Sequence, residues 1–239
     1  MEDLIKITDK VVLITGANRG IGLALVEEAL RRGAKRVYAA TRVPFSHPDP
    51  RVTSLILDIT NTEQIREAVE KVGSLDILIN NAGISLFDDL GDRTKIERQL
   101  AVNLFGPYDM IQAFLPLLLR SHGAIVNNLS LAALAPLPPI ASYSISKAAA
   151  FSLTQSLRAF LAARGVSVHA VLTGPVDTDM TRGFDIPKTS TASVAQGIFD
   201  GVENMEEDIF PDPVSKSLAD SWANGAVKAF EKQNATFVS

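Results

Sequence analysis

Short apolar or β-branched runs alternate along this chain with longer segments in which apolar residues recur every three or four positions. That is the pattern of parallel strands joined by crossover helices. Strands are predicted at 10–14, 36–40, 53–57, 75–79, 124–128, 166–172 and 208–210. The helical period occupies 21–32, which Gly33 stops, then 62–72, 95–120, 142–163, 192–203 and a last stretch within 215–231. Pro107 and Pro116 predict an interruption or bend in 95–120, because proline lacks a backbone donor and crowds the preceding turn. The segments 95–120 and 142–163 carry more apolar side chains than one buried stripe needs, which predicts packing against a second copy of the chain. The three prolines of 44–50 fall between two strands and read as a surface loop rather than a hinge. One α/β domain over residues 1–239 is therefore expected, a doubly wound parallel sheet of about seven strands with helices on both faces.

Candidate chemistry begins where the first strand turns into the first helix, at Thr15-Gly16-Ala17-Asn18-Arg19-Gly20-Ile21-Gly22. Glycines in such a turn permit conformations closed to other residues and let a pyrophosphate approach the unpaired N–H groups of the helix start. A tight turn needs glycine with or without a ligand, and the spacing differs from G-x-G-x-x-G. Further on, Tyr143 and Lys147 stand four apart on one face of a predicted helix. A phenol has an ordinary pKa of ~10 and is a poor base at neutrality unless nearby positive charge favours phenolate, which an ammonium one turn away provides. Ser130 ends the strand before that helix, and its hydroxyl can hold a substrate oxygen beside the phenol.

Together these residues, in this order, resemble the short-chain dehydrogenase/reductase family. T-G-x-x-x-G-I-G is similar to its cofactor loop, Asn80-Asn81-Ala82-Gly83 to its N-N-A-G motif, and Ser130, Tyr143 and Lys147 to its catalytic group. The likeness runs from about Lys10 to Thr178. It implies a Rossmann-type fold and hydride transfer with a nicotinamide cofactor. Gly16, Asn18, Arg19, Gly20, Ile21 and Gly22 then hold phosphates, while Asp58 and Ile59 lie near the adenine. Asn81, Ala82, Gly83, Gly174, Val176 and Thr178 complete the cofactor cleft, with Tyr143 and Lys147 at the nicotinamide ribose. Asn103, in Ala101-Val102-Asn103, corresponds to the family asparagine that holds a water on the proton path from the lysine. Relatives that use NAD end the second strand in an acid, whereas this chain has Thr41 followed by Arg42. A guanidinium there suits a 2′-phosphate, with Arg19 as a second contact, so NADP(H) is the expected cofactor. The alternative for both arginines is a solvated surface charge. Two positions depart from the family pattern, Leu129 in place of a small polar residue and Thr173 in place of proline.

Composition removes several alternatives. Without cysteine the chain has no disulfide, thiolate metal site or cysteine nucleophile, and its three histidines are too scattered for a metal cluster. A net charge of −4 offers no broad field for nucleic acid or an anionic membrane. The charged start lacks the pattern of a signal peptide, and the most apolar helical stretch, 113–119, is far shorter than the ~20 residues of a membrane span, so a cytoplasmic protein is expected. His169, in an apolar strand, and Trp222, in the last helix, read as structural residues. The expected function is an NADP(H)-dependent ketone or aldehyde reductase that runs backwards as an alcohol dehydrogenase, assembled as a homodimer or homotetramer. The alternative is a binding protein that senses NADP(H) without turnover; too few residues follow Thr178 for a sugar-nucleotide epimerase. Because 131–140 carries no charged side chain, the small-molecule substrate is expected to be apolar around its carbonyl.

Overall fold

The computed structural model describes residues 5–238; the first four residues of the charged start lie outside them. Alternation within the strands builds two cores at once. In β1 (Val11–Thr15) the side chains of Val12 and Ile14 enter one layer and those of Val11 and Leu13 the other. The strands β2 (Arg36–Thr41), β3 (Val52–Ile56), β4 (Ile77–Asn80), β5 (Ala124–Asn128), β6 (Ser167–Val171) and β7 (Asp208–Ile209) join it in one sheet. All pairings are parallel, in the order β3-β2-β1-β4-β5-β6-β7. The register is direct, for example Val12 against Val37 on one side and Ile77 on the other.

One face is covered by α1 (Gly20–Arg31) and α6 (Thr191–Glu203), through Leu25, Val26, Ile198 and Phe199. The opposite face carries α2 (Thr62–Val72), α4 (Gly106–Ser121) and α5 (Ala141–Ala162), through Ile65, Phe114, Leu118, Leu157 and Leu161. Between β4 and α4 lies α3 (Arg93–Leu100). The side chains of Asn61, Asp92 and Ser190 cap α2, α3 and α6, filling donors that every helix start leaves open.

Three expectations are corrected. Pro116 sits inside α4 without ending it, and the irregularity falls earlier, as a π turn at Ala101–Phe105 where the Gly106 N–H reaches the Ala101 carbonyl. This wider turn carries the helix into Pro107, whose missing donor costs nothing at a helix start. Arg93–Ser121 thus runs for 29 residues and is, by length and composition, long and apolar enough to cross a membrane, unlike the short stretch expected. Its most apolar window is 44% buried, against the sheet and the neighbouring helices. The last helix is two, α7 (Pro213–Ala223), capped by Asp212, and α8 (Ala226–Ala235), with Gly225 opening the second. Trp222 donates to Asp208 Oδ2 at 2.8 Å and leans on Phe151, while Lys228 and Glu231 hold α8 to Asp208 and Arg158.

Candidate active site

Strand order reverses beside β1, since β2 and β3 lie to one side and β4 to β7 to the other. Chains leaving the carboxyl ends of β1 and β4 therefore diverge, and a crevice opens between them. The glycine turn forms one wall. Gly16 and Gly20 hold φ of +67° and +56°. At Gly22 a Cβ would lie 2.1 Å from the Gly16 carbonyl oxygen. Arg19 precedes α1 in extended conformation, no side chain caps the helix, and its first turn holds no acid. The open N–H groups and positive helix end form a donor set that fits a pyrophosphate.

Asn81 fastens the opposite wall. Its Nδ2 donates to the Thr15 carbonyl at 2.9 Å, its Oδ1 accepts from Asn128 Nδ2 at 2.9 Å, and the N–H groups of Asn81 and Ala82 both donate to Thr15 Oγ1 at 3.0 Å. A Cβ on Gly83 would stand 3.2 Å from Asn103 Oδ1 and 3.8 Å from Lys147 Nζ, so the glycine leaves room for both. At the end of β2, Thr41 is buried and donates its hydroxyl to the Val43 carbonyl, while Arg42 beside it is exposed. Asp58 accepts from the N–H and hydroxyl of Thr60 at 2.9 and 2.7 Å; those bonds, with Arg42 nearby, hold its carboxyl below the usual range. Ile59 is in the core against Gly106. Gly174 is tied by its N–H to Asp212 at 2.8 Å, Val176 is buried, and the Thr178 methyl is packed close to Gly20.

Tyr143 lies in the first turn of α5, where Ile140 offers no cap. The cap comes from another loop. Asp88 accepts from the Ser142 N–H at 3.1 and 3.3 Å and donates its own N–H to the Pro139 carbonyl at 3.2 Å. Ser146 donates to the Tyr143 carbonyl at 2.7 Å and accepts from Asn103 Nδ2 at 2.9 Å. Asn103, in the π turn, also exchanges two bonds of 2.9 Å with the backbone of Ile84. Lys147 donates to the Asn128 carbonyl at 2.7 Å, with Nζ 5.6 Å from the centre of the Tyr143 ring.

Burial pushes the Tyr143 phenol up to about 12, opposed by a hydrogen bond with the Ser130 hydroxyl. Burial also pulls Lys147 down to about 8, which leaves it mainly an ammonium at neutrality. Tyr143 is therefore held as the phenol, and the Lys147 ammonium one turn away does not draw it toward phenolate as expected from the sequence. Behind the pair lies a cavity of about 10 Å³ lined by Asn80, Asn103, Asn128 and Lys147, room for about one water. Asn80 and Asn128 each keep a buried Oδ1 without a partner among the described residues, acceptors suited to such a water.

Elsewhere, His169 is buried in β6 with its ring nitrogens on the Glu206 carbonyl and the Ser167 hydroxyl. Arg19 pairs with Asp179 at 2.8 Å, and Arg182 holds the same carboxylate. An exposed pair of this kind is worth ~1 kcal/mol or less. The tie made by Asp88 and the role of Asp179 were not read from sequence; both acids sit in polar loops without a motif.

Residues 10–187 match the short chain dehydrogenase family. An uncharacterised oxidoreductase from Staphylococcus saprophyticus is 34% identical over 199 residues, 76% of this chain and 85% of its own length. A 3-oxoacyl-(acyl-carrier-protein) reductase from Vibrio cholerae is 33% identical over 200 residues, 78% of this chain and 81% of its own. The crystal structure of a short chain dehydrogenase from Burkholderia cenocepacia in complex with NADP superposes with a TM-score of 0.87 and 35% identity, over 96% of this chain and 98% of that one. By these matches, and by the glycine turn and the tyrosine–lysine pair that meet at one crevice, the chain belongs to the short-chain dehydrogenase/reductase family.

Proposed function

We propose that this chain reduces an uncharged ketone or aldehyde with NADPH and catalyses the reverse oxidation of the alcohol. The observation that carries this is the convergence of buried Tyr143, Lys147 and Asn103, with Ser130, on the crevice that the uncapped glycine turn also faces. When bound, NADPH supplies the hydride that goes to the carbonyl carbon. Ser130 holds the carbonyl oxygen, and Tyr143 gives that oxygen its proton, so the carbonyl π pair ends as the O–H bond. The Lys147 ammonium stabilises the tyrosinate left behind. Asn103 holds the small cavity open, through which a proton returns to Tyr143. A sensor without turnover has no use for this proton-delivery group.

Arg42 gives the reading its cofactor. Its exposed guanidinium follows the end of β2 near Asp58, where it would suit a 2′-phosphate, and the Burkholderia relative was solved in complex with NADP. Arg42→Asp is expected to raise the Kd for NADPH by about a hundredfold and that for NADH by less than about threefold, since it removes one charge-assisted phosphate contact and adds a repulsion. Fluorescence titration with both cofactors checks this, and a wild-type protein that binds NADH more tightly overturns it.

The substrate reading rests on the uncharged loop 131–140. Arg182, paired with Asp179, and Lys188 line a polar groove of about 410 Å³ with Gly20 and Thr178, on the glycine-turn side. Monitoring NADPH against a panel of ketones, aldehydes, quinones and keto acids tests the whole reading. No turnover with any carbonyl refutes it, and preference for keto acids refutes the apolar substrate.

Assembly as a homodimer or homotetramer belongs to the same proposal. Phe105 and Tyr108, beside and within α4, and Ile145 and Phe160 on α5 are exposed apolar side chains on the two helices expected to pack between copies. Light scattering at micromolar concentration is expected to give twice or four times the chain mass; a monomer excludes it.

A further inference from the structure

Three loops leave the carboxyl ends of β4, β5 and β6 around Tyr143, and two of them meet through a pair of aromatic rings. Phe87, 64% exposed, stacks on Phe184 with centroids 5.5 Å apart and planes inclined by 26°. Leu90 on the loop of Phe87, Met180 and Ile186 on the loop of Phe184, and Leu137 on the loop after β5 are exposed apolar side chains as well.

The two rings are held very differently. Next to Phe87, Asp88 bonds to Pro139 and Ser142 and bridges to Ile140, which fixes Phe87 relative to the start of α5 one residue before Tyr143. The Phe87 carbonyl also accepts from Lys95 Nζ at 3.0 Å. Phe184 rides on a loop closed at its base, where Asp177 N–H donates to the Thr189 carbonyl at 2.9 Å and Thr189 N–H to the Pro175 carbonyl at 3.0 Å. Just before Phe184 stands Gly183, with φ of +93° and nothing within 4 Å of where a Cβ would be. Phe184 is held by its N–H to the Thr181 carbonyl at 3.2 Å, and Gly183 before it has the free space and range of conformations to let that turn rearrange, so one ring is tied to the start of α5 and the other is the freer of the two.

We infer that Phe87 and Phe184 form an aromatic clamp that takes the planar aryl group of a neutral aryl or arylalkyl carbonyl between their rings and delivers its carbonyl to Ser130 and Tyr143. This rests on the proposed carbonyl reductase reading. An entering aryl ring replaces one ring-to-ring contact with two, and stacked aromatic pairs are favourable beyond the area they bury. Asp89 and Asp185 stand next to the two rings as exposed carboxylates, and Lys95 and Arg182 next to them as cations, so neither sign of charge prevails around the pair and a neutral group fits it.

Two arms test the clamp. In the first, kcat/KM with NADPH is measured for 4-phenyl-2-butanone and for 2-butanone in wild type, Phe87→Ala, Phe184→Ala and the double variant. Each single change is expected to lower the phenyl ketone value about tenfold and the butanone value less than about twofold. The double variant should lose less than the product of the two, because both rings hold one group. In the second arm, saturation-transfer NMR follows 4-phenyl-2-butanone on the Tyr143→Phe protein loaded with NADPH, where no turnover is needed. Strong transfer to the phenyl protons that disappears in Phe184→Ala supports the clamp. Equal losses for both ketones, or phenyl transfer that survives both alanine changes, overturns it. If wild type turns over neither ketone while the NMR transfer behaves as expected, the clamp stands and the reductase reading fails.

Discussion

Tyr143→Phe is expected to lower kcat for carbonyl reduction by roughly a thousandfold while changing the Kd for NADPH by no more than about twofold. The change removes one oxygen and keeps the ring, so packing in the first turn of α5 is preserved. What is lost is the proton donor. General acid catalysis by a positioned side chain is worth about 10²–10⁴-fold, and a thousandfold corresponds to about 4 kcal/mol of barrier. Because burial holds the phenol protonated up to about 12, no alternative ionisation of Tyr143 near neutrality complicates the comparison. Steady-state rates together with a cofactor titration check both halves. Near-normal kcat in the variant would show that the proton comes from elsewhere.

Gly22→Ala is expected to be the most damaging small change in the glycine turn. A methyl there would lie 2.1 Å from the Gly16 carbonyl oxygen and 2.7 Å from Asn81 Nδ2, and both neighbours are held, one as backbone and the other by its bonds to Thr15 and Asn128. The strain is relieved only if α1 moves away from the turn, which spreads the donors meant for phosphate. Overpacking of this kind costs about 1–3 kcal/mol, and at this chain length each kcal/mol lowers Tm by about 2–4 °C. A fall of about 2–12 °C and at least a tenfold weaker NADPH affinity are expected. Gly73→Ala is the control for a change that strains the backbone without crowding: Gly73 has a positive φ, +65°, which Gly22 does not, and nothing lies within 4 Å of its Cβ position. Thermal melts with and without NADPH separate the two: wild type and Gly73→Ala should be stabilised by the cofactor, and Gly22→Ala should not. Equal behaviour of the two variants would mean that close approach at Gly22 does not matter.

Much of this architecture was legible in the sequence because its determinants are local. The strand and helix periods follow from which faces of the sheet must be covered, so buried runs such as Val11–Thr15 announce themselves. Tyr143 and Lys147 are related by one helical turn, and the glycines act within a single strand-to-helix connection. Ties across long sequence distances left no such trace. Asp88 serves a helix start 54 positions away, and Arg19 meets Asp179 across 160. Each is an ordinary loop acid until the fold is known. Similarly, Phe87 and Phe184 are unremarkable in their own segments and acquire meaning only when β4 and β6 bring their loops together. Local signals were also misjudged where two of them compete. Pro107 was expected to interrupt a helix that a π turn carries through, and Gly225 splits a C-terminal segment whose apolar pattern reads as continuous.

The central claim is that a hydride passes from NADPH to a carbonyl carbon with Tyr143 supplying the proton. It is tested most directly by incubating the wild-type protein with a ketone and NADPH stereospecifically deuterated at the nicotinamide C4, once in each of the two configurations, and examining the alcohol by NMR and mass spectrometry. The account predicts that one of the two cofactors places a single deuterium on the carbinol carbon, that the other places none, and that Tyr143→Phe all but abolishes formation of the labelled alcohol. Oxidation of NADPH without deuterium on the carbinol carbon in either case, or full transfer in the Tyr143→Phe protein, would contradict it.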